Sequence, residues 1–533
     1  MTRLLQPLHF IDSDMTSPSS LWNAGRCVSQ WLLWSDPATT ETPIDVSRSL
    51  RHHAATPSSL HQHMATPSSL LQDTATSLFF RQHTVVSLSL LDHPAAPFIN
   101  DTNHHIPCIN TLLPPEILGE IFKHYVFDDD NPDCLPASTR IAAHTKARTT
   151  ALTLCHVCSS WNSLASSDSS LWSSLCVMWP KKNTVHLVQL WLNRSKSQPL
   201  CLFLGEHPFG EGGSTPVRDI LALFISHAHR WQAITLGLND AVQDMFRNVP
   251  LGVMSSLDHF DVSVRNWSTG SLEQLSLCLH TSSLKKIAWE NSPEDYLPPS
   301  ICWSQLTEIT LGCVRNSEDL FEVLTECRVL RVLNIPHLEF TSPRSGDGHI
   351  ILPDLYDLRL GFVADVARIL DGLLLPRLTE LRLNNGFRGL ISDGWNASVN
   401  LLQRSGCRLK TFTYSQLGSD ETELTQALAL PVFSYVSNIT IGSPISDVTL
   451  NALNNRNLPL LPRLEEAFFT DCHTSDGAIS SFVLSRLHTS QTTTSILKRL
   501  EANLCGPSLY LYDLRLKERL LDQKIIIMID ASL

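Results

Sequence analysis

Leu355-Tyr356-Asp357-Leu358-Arg359-Leu360 and Leu378-Thr379-Glu380-Leu381-Arg382-Leu383 share one pattern, apolar-x-x-apolar-x-apolar. Its alternating end reads as a half-buried strand, because successive side chains on a strand point to opposite faces. The pattern recurs upstream at Trp231/Ile234/Leu236, Leu257/Phe260/Val262, Leu284/Ile287/Trp289, Leu306/Ile309/Leu311 and Leu330/Leu333/Ile335. Downstream it continues at Leu409/Phe412/Tyr414, Val436/Ile439/Ile441, Leu464/Ala467/Phe469 and Leu497/Leu500/Ala502. The ten steps from Trp231 to Leu497 average about 27 residues, inside the roughly 20–29-residue spacing of leucine-rich strand repeats.

Helical stretches fill the gaps, opening at Ser317-Glu318-Asp319, Asp420-Glu421-Thr422 and Ser475-Asp476-Gly477. One strand and one helix cannot bury their apolar faces alone, whereas stacked copies can, with parallel strands lining a concave surface and helices outside. Leu511 to Lys524 reads as helix and Ile525 to Ile529 as a buried terminal strand. Within each unit the apolar residues point inward and the intervening ones stay on the open face. Lys286, Glu308, Asp357, Arg359, Glu380 and Arg382 give that face mixed charge, suited to a protein or peptide target and poorly suited to a lipid.

Upstream, Leu112-Leu113-Pro114-Pro115-Glu116-Ile117-Leu118-Gly119-Glu120-Ile121-Phe122 reads as a helix start. Proline is tolerated in a first turn, where backbone N–H groups lack helical partners, and Glu116 sits at the positive end of the helix dipole. Ile117, Leu118, Ile121, Phe122 and Tyr125 are expected on one face. After a polar loop containing Asp128 to Asp133, a second helix carries Leu154, Val157, Cys158, Trp161 and Leu164, and a short third element spans Ser169 to Leu175. Cys155-His156-Val157-Cys158 has CxxC spacing, but no second ligand pair sits at zinc-finger distance. With the pattern helical on both sides, Cys158 reads as core packing.

The order LLPPEILGEIF, loop, LCHVCSSWNSLA, SSLWSSL resembles an F-box domain of the form abundant in mushroom-forming fungi, followed by degenerate leucine-rich repeats. The segments Val188 to Ser195 and Pro199 to Leu204 are similar to what usually follows the F-box there. The resemblance implies a substrate receptor of an SCF-type cullin–RING ubiquitin ligase, docking on a Skp-type adaptor and holding an unknown target protein on the repeats. It places adaptor contact on Leu113, Pro114, Ile117, Leu118, Ile121, Phe122, Val157, Cys158 and Trp161, with Trp172 nearby. Ser159-Ser160 stand where the family often has basic residues, which removes charge contacts.

The fold class expected is therefore α/β. A small three-helix F-box domain occupies 108–178, an irregular leucine-rich-repeat-like solenoid 179–533, and a disordered tail 1–107. In the tail, Ala55 to Met64 (ATPSSLHQHM) is nearly repeated by Ala65 to Thr74 (ATPSSLLQDT), a low-complexity pattern with little to bury. Its recurring histidines lack the Cys or carboxylate partners of a metal site, so no metal is expected.

Formal net charge is −12, and charged residues are only 17%, which argues against a general nucleic-acid binder. No signal-like start and no run of about 20 apolar residues is seen, so no membrane is expected. The 14 scattered cysteines read as reduced thiols of a cytoplasmic or nuclear protein. There is no GxSxG, Walker A, HExxH or GxGxxG sequence, and Gly210 to Ser214 reads as a turn, so neither an enzyme nor a cofactor is expected. The other readings open at this point are an interaction scaffold without ligase coupling and an uncharacterised hydrolase within the solenoid.

Overall fold

The computed structural model describes residues 113–127, 140–142, 150–206, 215–280 and, with short gaps, 283–532. The expected tail at 1–107, the acidic run Asp128 to Asp133 and the glycine-rich turn Gly210 to Ser214 lie outside the described residues.

The apolar triads assemble into one 15-stranded sheet whose strands follow chain order. They are β1 (Arg140–Ala142), β2 (Ser174–Met178), β3 (Leu200–Gly205), β4 (Trp231–Leu238), β5 (His259–Arg265), β6 (Lys286–Ser292), β7 (Glu308–Leu311) and β8 (Val332–Ile335). Beyond them come β9 (Asp357–Gly361), β10 (Glu380–Asn385), β11 (Thr411–Gln416), β12 (Asn438–Ile441), β13 (Glu466–Cys472), β14 (Arg499–Cys505) and β15 (Ile526–Ser532). β1 pairs antiparallel with β2, and every later pairing is parallel. Parallel neighbours need a crossover. Helices such as Thr184–Arg194, Thr269–Cys278 and Ser317–Glu326 supply many of them.

Register aligns like with like. Leu358 faces Leu333 on one side and Leu381 on the other. Every triad residue read from the sequence is buried, from Trp231, Ile234 and Leu236 to Leu497, Leu500 and Ala502. Together with helix residues such as Leu272, Leu320 and Phe482 they make one continuous core. Burying a leucine or isoleucine stabilises by roughly 1.5–3 kcal/mol, and each strand gains it only because its neighbours cover it.

Several expectations are corrected. The sheet reaches into the stretch read as F-box, since β2 lies before the expected solenoid start at 179 and pairs with β3. The element read as a third helix is a 3-10 turn, Ser169–Trp172, capped by Asp168 Oδ1 on the Ser170 N–H at 3.0 Å. It turns the chain directly into β2, whose Leu175, Cys176, Val177 and Met178 are buried.

The helix expected across Leu154 to Leu164 is two helices, Ala151–Cys155 and Ser159–Ser167. Cys158 is extended (φ −160°, ψ 170°), and its Sγ accepts the Trp161 N–H at 3.5 Å. It caps the second helix and does not fill the core.

At the far end the expected single helix is two short ones, Leu511–Leu514 and Leu516–Arg519. The terminal strand is only half covered: Ile527 is buried, whereas Ile526 and Met528 are exposed because no described strand or helix lies over that face.

Candidate docking and binding surfaces

The first helix, α1 (Pro115–Phe127), starts at proline because N1 needs no hydrogen-bond donor. Its apolar residues do not share one face. Leu118, Phe122 and Val126 turn inward and are buried, and the Phe122 ring lies 4.8 Å from that of Trp161. Ile117, Ile121 and Tyr125, each four residues on, form a second stripe facing outward, with Ile117 48% and Ile121 43% exposed. Val157, in the link between the next two helices, is 55% exposed.

Trp172 is fully buried, with its Nε1 donating to the Ala165 carbonyl at 2.8 Å, its ring 4.8 Å from that of Trp191, and Arg194 over it at 4.4 Å. Of the residues that the resemblance assigns to adaptor contact, Pro114, Ile117, Ile121 and Val157 are exposed. Leu113, Cys158 and Trp161 are half-buried. Leu118, Phe122 and Trp172 are interior residues that hold the exposed ones in place.

The open face of the sheet carries the six residues assigned to target contact. In register they form two rows: Lys286, Glu308, Val332, Asp357 and Glu380 in one, and Ala288, Thr310, Asn334, Arg359 and Arg382 in the other. The charges are spent on one another. Lys286 Nζ meets Glu308 at 2.7 Å, and Arg359 grips Asp357 at 2.7 and 3.0 Å. Arg382 reaches Glu380 at 3.4 Å. Asp357 is only 3% exposed, so it orients Arg359 and offers nothing to a partner directly.

Sequence reading missed Glu290, on β6 of the same face. Burial pushes its carboxyl from 4.5 up to about 7; the Ser263 hydrogen bond opposes that rise, Asp261 adds to it, and Arg265 opposes it. Gly312 lies so close to the Glu290 side chain that a Cβ there would overlap it. A lone acid one strand before a glycine gives no hint of this in sequence.

The F-box-like family model matches residues 111–178. No curated protein matches the chain. Among solved structures, a TLR13–ssRNA13 complex aligns at 13% identity and a TM-score of 0.27, covering 53% of this chain. The alignment spans 43% of that other chain. The protein thus carries an F-box-like domain followed by a leucine-rich-repeat-like region. Among the described residues no helix is long and apolar enough to cross a membrane.

Proposed function

We propose that this chain is the substrate receptor of an SCF-type cullin–RING ubiquitin ligase. It would dock on a Skp-type adaptor through the F-box-like helices and hold a target protein on the repeat array. The observation that carries the reading is the outward stripe of Ile117, Ile121 and Tyr125 on an F-box-like helix whose opposite side already fills the core. Apolar side chains left in water at helical spacing are what a helical partner covers. Ubiquitin transfer would belong to other subunits, and this chain would contribute proximity and orientation.

Combining Ile117→Ala, Ile121→Ala and Val157→Ala tests it. Central apolar anchors cost about 2 kcal/mol or more each when truncated, so adaptor co-purification should be lost. Because none of the three is a core residue, the circular dichroism spectrum and melting curve should stay those of the parent. Undiminished adaptor binding by the folded triple variant would overturn the docking reading. A parent chain that captures a target yet never an adaptor is an interaction scaffold instead.

A further inference from the structure

We draw no further inference here: the strongest candidate, the outer edge of the terminal strand β15 with Ile526 and Met528 exposed on its open face, carries nothing because nothing among the described residues shows what covers it.

Discussion

Ile117 and Leu118 are chemically near-identical neighbours, yet one is exposed and the other interior. Helical spacing permits either assignment for a two-stripe helix; only the position of Trp161 against Phe122 decides which stripe becomes core. Glu290 reads in sequence as an ordinary strand acid, yet burial raises its pKa. Its folded-state pKa is raised to about 7, so between about 4.5 and 7 the folded chain holds a proton that the unfolded chain has released. Stability contributed by this group is therefore present below the unfolded value and declines as pH rises through that window. Glu290→Gln removes the cost of burying the charge. At pH 8 the variant should melt above the parent, and at pH 4.5 the two should nearly coincide. An unchanged melting difference at both pH values would show that Glu290 is solvated.

Helices on the covered side are tied to one another at both ends. Glu421 accepts the Ser446 and Thr449 N–H groups at 2.7 and 3.0 Å, capping the helix Asp447–Leu453. Asp513, fully buried, accepts those of Gly477 and Ser480, while Asp476 returns the contact to Tyr512 and Asp513. An acid at a helix start was legible in sequence as a helix signal; that it caps the neighbouring helix was not, because the partner lies some 25 to 36 positions away.

At the opposite ends, arginines bridge to carbonyls left over by the preceding helix. Arg404 donates to the Leu370 and Leu373 carbonyls, and buried Arg486 to those of Leu453, Leu460 and Leu461 at 2.7 to 3.2 Å. Burial lowers the pKa of Arg486 only to about 10, so it stays charged at neutral pH. Arg486→Met strands three carbonyls and should cost about 3 kcal/mol or more, read as a lower urea midpoint. A loss below about 1 kcal/mol would mean that water replaces the guanidinium.

Over the whole molecule, the F-box-like region and the repeats share one sheet. A boundary at 178/179 falls just after β2, whose residues pair with β3 from Ser174–Cys201 to Met178–Gly205. A chain starting at Lys181 would leave β3 as an open edge with unpaired backbone groups, which invites association. One starting at Asp168 keeps β2 and the Trp172–Trp191 contact. The shorter chain should self-associate in gel filtration and melt earlier than the longer. Equal melting with both monomeric would show that β2 is dispensable.

The sequence by itself determined the array. Its triads are local, repeat at a near-constant interval, and have one way to be buried together, so pattern alone carries from Trp231 to Leu497. It also carried the F-box-like motif, whose residues are contiguous and ordered. Three things waited for the tertiary structure: which stripe of α1 faces out, where the sheet begins, and which charges are paired. Each depends on residues far apart in the chain, and an ion pair or an orphaned arginine looks the same in sequence until its neighbours are in place. The mixed charge read on Lys286, Glu308, Asp357, Arg359, Glu380 and Arg382 is real, but it is internally balanced. At the rim, repeat stacking sets Arg408 and Arg463 against the Tyr435 ring.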